Sequence, residues 1–285
     1  EIPTEYAESF YNYDDVDFSN PCRSRKIDNY YIIPQGGFTN VNTPGQQIMF
    51  QATETSGYWR VAESYFIMDF TLTSRLTANA ADPSIALASD LGTTLENDFF
   101  WKLFSDIRLD INSQQVENIN FVSKVSSMLG KCLHTKPFKD QGGIAYGWCP
   151  DAGSTQAATV AADATNSGFL RRRMYYNIGG TLAAPTANAS GALQTIAKLK
   201  PVLGFTDWDK VLYGATINLT LTRSTQGIGT GIAGAGFEEI LFGVDAANGA
   251  GGMNERTFAF NIESIKLVIP LYRPIDTEEA SIMAR

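Results

Sequence analysis

The 285 residues include one histidine and three cysteines, and each scarcity excludes chemistry. With His134 alone, no histidine cluster can hold a catalytic metal, and a nucleophile in need of an imidazole base has one candidate in the whole chain. Cys22, Cys132 and Cys149 are an odd set in a long chain, which is no disulfide framework and fits a reducing compartment. Cys132 lies near His134 and Cys149 could join them, but no Cys-x-x-Cys pair or second histidine completes a tetrahedral site, so no metal is expected. No apolar run reaches the roughly 18 residues of a spanning helix, and no membrane span is expected. Positive charge is also sparse. Lys and Arg number 22 against 30 Asp and Glu, a formal charge of -8, which is the wrong sign for gripping a phosphate backbone. Direct nucleic-acid binding is not expected.

What is present is apolar and aromatic: 44% of residues are hydrophobic and 12% aromatic, enough to build one large β domain or two small ones. Residues 1–29 read as an N-terminal arm. Its first 20 residues set Glu1, Glu5, Glu8, Asp14, Asp15 and Asp17 among Tyr6, Phe10, Tyr11, Tyr13 and Phe18, with no basic residue. Such a segment cannot make its own core, yet its rings need a surface, and a neighbouring subunit is one.

From Tyr30 onward short apolar runs are cut by turn residues. Phe66, Met68, Phe70 and Leu72 alternate with polar or outward partners, as do Ile107 and Leu109, and Ile217, Leu219 and Leu221. Period two places each set, with Phe258 and Phe260, on the inner face of a sheet. In the last strand Phe258, Phe260 and Ile262 hold even positions while Ile265, Leu267, Ile269 and Leu271 hold odd ones. A β-bulge near Glu263-Ser264 reconciles them, and deletion of Ser264 is expected to turn one half of the strand outward. Short helices are expected over 97–104 and 121–129, with Thr206 or Asp207 capping another turn. Residues 150–168 and 179–195 are rich in Ala, Gly, Thr, Ser and Asn and read as surface loops, as do 227–236 and 243–252. Many short strands with few helices make this an all-β protein, a sandwich or jelly roll with long Gly/Ala-rich surface loops.

Chemical motifs are few. Gly229, Gly231 and Gly234 satisfy the spacing of a dinucleotide fingerprint, but no βαβ alternation surrounds them, so no nucleotide or other cofactor is expected. No carboxylate pair stands in an acid/base setting, and no catalytic residue is assigned. Arg171, Arg172 and Arg173 form the single basic run. A charged strand edge or an ion pair across a subunit contact suits them better than a nucleic-acid patch. The glycosylation sequons at Asn188 and Asn218 are read as chance, Asn218 being an outward strand residue.

Four stretches together resemble one family. They are Leu103-Phe104-Ser105-Asp106-Ile107-Arg108-Leu109-Asp110-Ile111-Asn112 with Val116-Glu117; Gly147-Trp148-Cys149-Pro150-Asp151; Leu199-Lys200-Pro201-Val202-Leu203-Gly204-Phe205 with Asp209-Lys210-Val211 and Leu219-Thr220-Leu221-Thr222-Arg223-Ser224; and Ile262 to Pro270. In this order they resemble the first jelly roll of double jelly-roll major capsid proteins of the Polinton and adintovirus type. Ser113 stands where that pattern has glycine, and Trp208-Asp209 replaces its Asp-Tyr.

The resemblance implies a jelly-roll domain over 30–275 and, over 276–285, a linker towards a second roll that is missing or on another chain. It implies a structural capsid protein that assembles with itself as a homotrimer and with other capsid proteins, in pseudo-hexagonal capsomers of an icosahedral shell. The location implied is the virion, assembled inside the host cell, and no enzyme is expected. Tyr6, Phe10, Tyr11, Tyr13, Phe18, Arg171, Arg172 and Arg173 are the candidate subunit-interface residues. The alternative is a jelly-roll module that binds a receptor or glycan, or a capsid vertex protein.

Overall fold

The structure, a computed structural model, describes residues 24–38, 41–54, 57–76, 93–135, 137–138, 142–151, 168, 171–172, 188–208, 210–225, 241–243 and 256–274. Along the chain come β1 (Ser24–Ile32), β2 (Gln47–Thr53), β3 (Tyr58–Trp59), β4 (Tyr65–Leu76), β5 (Thr93–Leu95), α1 (Phe99–Lys102), β6 (Phe104–Ile111), β7 (Gln114–Asn120), α2 (Val122–Leu133), β8 (Asn188–Lys198), β9 (Leu212–Tyr213), β10 (Thr216–Arg223), β11 (Leu241–Gly243) and β12 (Arg256–Pro274). Pairing is nested and antiparallel: β6 with β7, β4 with β8, β2 with β10, and β1 with β12. The ribbon folds over so that successive pairs join opposite sheets, one ordered β1-β12-β4-β8 and the other β2-β10-β6-β7. That is an all-β jelly-roll sandwich. Strands β3 and β9 extend the first sheet, and β5 pairs with β11 beside the roll.

The hairpin at the centre of this nesting turns on Asn112 and Ser113, both at positive φ (50° and 64°). A two-residue turn that matches strand twist requires this, and asparagine tolerates it at its first position. Asn112 also reaches across to β10: its N–H donates to the Thr216 carbonyl at 2.9 Å and its Oδ1 accepts the Thr216 N–H at 2.8 Å.

Alternation becomes burial on the inner faces. Phe66, Met68, Phe70, Ile107, Leu109, Ile217, Leu219, Leu221 and Phe260 are all buried, as expected, while the Leu72 and Phe258 side chains lie outside the described residues. Against the inner face of the first sheet α1 packs Phe99, Phe100 and Trp101, all buried. Phe66 stacks on Phe100 at 5.4 Å, Phe70 stacks on Phe260 at 5.0 Å, and Phe99 tilts against Phe70 at 5.3 Å. The three successive aromatics of this turn are buried because each finds an aromatic partner: Phe99 packs on Phe70, Phe100 on Phe66 and Phe104, and Trp101 edge-on to Phe66. Each such pair adds about 0.5–1.5 kcal/mol beyond the area it buries.

The register change in β12 falls where the parity demanded it. Ile262 pairs with Phe70 and Ser264 with Asp69, so Glu263 is the supernumerary residue, and Ile262 and Ile265 are both buried. The geometry corrects the expected effect of deletion. With one residue of the bulge removed, Ile262 and Ile265 are two apart and alternate regularly, so neither half of the strand must turn outward.

Four other expectations change. Strand β1 begins at Ser24 and not at Tyr30. The anticipated helix over 97–104 is the single turn of α1, whereas α2 runs on to Leu133, burying Val122, Ser126 and Gly130 along one stripe. Thr206 and Asp207 lie inside the 3-10 turn Gly204–Asp207 and do not cap it; Leu203 holds the cap position. The stretch 179–195 is not all loop, because Asn188–Thr195 is the first part of β8 and pairs with β4 from Arg75 back to Met68. Ala, Gly and Ser carry little strand propensity, and here a long partner strand overrides it.

Candidate functional site

The stretches that carry the family resemblance meet in space as internal clamps. Arg223, at the end of β10, is buried and donates from Nη1 to the Leu103 carbonyl at 2.8 Å, its guanidinium 5.7 Å over the Phe104 ring. Burial pushes its pKa down to about 10, so it stays charged near neutrality. Glu117 on β7 accepts two N–H groups, from Gly204 to Oε1 and Phe205 to Oε2, each at 2.9 Å. The 3-10 turn has no side-chain cap of its own, and this carboxylate supplies one from a neighbouring strand.

The third clamp involves a residue expected at a subunit contact. Arg172 lies in a helical turn, not on a strand edge, and its side chain is fully buried. Nε donates to the Leu95 carbonyl at 2.9 Å, Nη2 pairs with Asp151 at 2.9 Å, and Nη1 reaches the Cys149 carbonyl and Asn97. The Asn97 Oδ1 in turn accepts the Cys149 N–H at 2.7 Å. Arg172 therefore ties β5 to the Trp148-to-Asp151 turn inside the subunit. The reading of it as an interface residue is corrected by this burial. Gly168 closes the same corner, where a Cβ would stand 2.0 Å from the Pro150 carbonyl oxygen. Both described ends of the expected 150–168 loop are thus held in place. Arg171 is exposed, while Arg173 and the five arm aromatics Tyr6, Phe10, Tyr11, Tyr13 and Phe18 lie outside the described residues.

Two surfaces escaped sequence reading. Among the described residues β1 pairs on one side, with β12, and it presents Tyr30, Tyr31 and the following Ile33 to solvent at 41%, 56% and 58% exposure. An edge strand with large exposed apolar groups is a site where another chain can add. The outer face of the β2-β10-β6-β7 sheet is instead polar, a groove of about 650 Å³ lined by Gln47, Asp106, Asp110, Asn118, Asn120 and neighbouring threonines, with Arg108 paired to Asp110 at 2.9 Å. Either could have been suspected from the outward half of the alternation. Exposure alone does not distinguish a contact from solvent.

A cavity of about 630 Å³ opens where α1, α2 and the ends of β4 and β8 meet. Tyr65, Phe100, Trp101 and Tyr146 stand in its wall, and Asp98 is the buried carboxyl. Asp98 has positive φ, 56°, and desolvation raises its pKa from 3.8 to about 7 against the pull of Lys102. Burial, and then Lys198, lowers the pKa of His134, which stacks on Phe138 at 4.4 Å. Among the described residues no group of three or more His, Cys, Asp or Glu is placed to hold a metal.

No protein-family description matches the chain, and no curated protein matches it. Solved structures share its architecture. The major capsid protein of mavirus aligns with TM-score 0.52 at 11% identity, over 96% of this chain and 51% of that one. A chain in the cryo-EM structure of the Sputnik virophage aligns with TM-score 0.55 at 14% identity, over 93% of this chain and 52% of its own. The chain spans about half the length of each. At these identities the likeness is one of fold: this jelly roll is a fold found in viral capsid proteins.

Proposed function

We propose that this chain is a structural capsid protein of the Polinton and adintovirus type, the first roll of a double jelly roll. It assembles with itself as a trimer and with other capsid proteins into pseudo-hexagonal capsomers of an icosahedral shell. It belongs to the virion, is assembled inside the host cell, and is not an enzyme. The nested eight-strand topology is the observation that carries the reading, since the chain aligns along nearly its whole length with about half of the mavirus major capsid protein and about half of a chain of the Sputnik virophage. The placement of the motif residues is in keeping with it: Arg223, Glu117 and the Trp148-to-Asp151 turn are engaged in tying corners of the roll together.

In this reading the arm, residues 1–29 less the part taken into β1, lies along a neighbouring subunit through Tyr6, Phe10, Tyr11, Tyr13 and Phe18. Arg171 and Arg173 contribute at the subunit surface, and β1 adds Tyr30, Tyr31 and Ile33. The segment 276–285 leads towards the second roll. Standard contacts bury on the order of 1,600 Å² around aromatic anchors, and such an arm supplies them. Removal of residues 1–20 tests this. The truncated protein is expected to lose trimer or shell yield by mass photometry and electron microscopy, with melting of the isolated subunit nearly unchanged. Assembly equal to that of the intact chain would remove the arm from the mechanism.

A further inference from the structure

The cavity between α1, α2 and β8 is walled in part by the core residues Phe100 and Trp101, and it holds one buried carboxyl, that of Asp98. Asp98 is 9% exposed, and its carboxyl has no hydrogen-bond or ion-pair partner among the described residues. Room is made for it. A Cβ on Gly130 of α2 would stand 2.6 Å from Asp98 Oδ2, so the glycine lets the helix pass directly beneath the carboxyl. A left-handed backbone at a non-glycine residue costs about 1–3 kcal/mol and persists where the surroundings impose it.

The other charged groups around the cavity are engaged. Lys102 pairs with Glu96 at 3.7 Å, Glu63 with Arg60 at 3.3 Å, and Lys200 with Asp207 at 3.0 Å. Lys198 lies 5.0 Å over the Tyr146 ring, and the His134 ring packs on Phe138 and Trp148. Among the described charged groups around the cavity, the Asp98 carboxyl alone has no hydrogen-bonded, ion-pair or ring partner, feeling Lys102 at longer range, and it stands beside a space walled by Tyr65, Phe100, Trp101 and Tyr146.

We propose that this cavity is a binding site for a small organic cation, an amine on an apolar or aromatic body, with its ammonium against Asp98 and its body against the aromatic wall. The volume, about 630 Å³, lies in the range of small-molecule sites. A desolvated carboxylate and aromatic faces each favour a cation, and a buried ion pair discriminates against neutral or anionic isosteres that leave the carboxylate unpaired. The site rests on no part of the capsid reading.

Phenethylamine is the probe, with 2-phenylethanol and 3-phenylpropionate as neutral and anionic counterparts, titrated into the intact chain at about pH 8 by calorimetry and tryptophan fluorescence. Saturable binding of the amine, about tenfold or more tighter than either counterpart, is expected. Asp98→Asn should abolish that preference, and Ile196→Trp, which fills the cavity from β8, should abolish binding altogether. Should Asp98→Asn fail to fold, the Ile196→Trp variant and the probe series decide. Equal binding of the three probes, no saturable amine binding, or amine binding unaffected by the Ile196→Trp plug would each overturn the proposal.

Discussion

Replacement of Asp98 by asparagine should stabilise the protein at alkaline pH and do little in acid. The carboxyl is buried beside Gly130 and its pKa is raised from 3.8 to about 7, so the folded state keeps a proton that the unfolded chain gives up. Between those values the folded state binds more protons, and stability falls as pH rises. The loss begins near pH 4, is complete just above pH 7, and stays constant beyond. A difference of about three pH units at about 1.4 kcal/mol each makes the full penalty of order 4 kcal/mol. Asparagine carries no titrating proton and fits the same volume. Urea unfolding of both proteins, in steps from pH 4 to pH 8.5, should therefore show near-equal stability at the acid end and a widening advantage for the variant, approaching a few kcal/mol. A difference independent of pH, or a variant less stable at pH 8, would show that the carboxyl is solvated or paired and refute the reasoning.

The other perturbations follow from the clamps and the register. Arg172→Met removes a buried guanidinium from the Leu95 and Cys149 carbonyls and from Asp151, and is expected to cost about 3–5 kcal/mol in denaturant unfolding; a loss under about 1 kcal/mol would place the arginine outside the fold's support. Deletion of Glu263 should leave a folded protein, because the ladder closes regularly, whereas deletion of Lys266 makes Ile265 and Leu267 adjacent and should abolish folding. Equal melting temperatures for the two deletions would contradict the register. Ser113→Gly relieves a positive φ of 64° in an exposed turn and should raise stability by about 1 kcal/mol, read as a shift of the urea midpoint; a lowered midpoint would mean the serine is not strained.

Legibility followed the physics of each element. Strand β10 was plain because its residues alternate without exception and one face is fully buried. The bulge was equally plain, since a change of parity between Ile262 and Ile265 admits few other solutions. Strand β8 was hidden because Ala189, Ser190, Gly191 and Ala192 carry little strand preference, and its pairing is decided by β4, far away in the chain. The clamps were hidden for a related reason. Arg172 sits in a basic run that reads as surface, and nothing local reveals that Leu95, Asn97, Cys149 and Asp151 converge on it. Asp98 gave no signal at all, being one of many acidic residues until α2 and β8 close over it.

The claim that this roll is made to assemble is tested most directly by the particle distribution of the intact chain, alone and co-expressed with a second jelly roll, measured by mass photometry and electron microscopy over rising concentration. The account predicts trimers that grow into closed shells, with yield sensitive to salt because rim charges steer association. A strictly monomeric population at every concentration, with the second roll supplied, would contradict it.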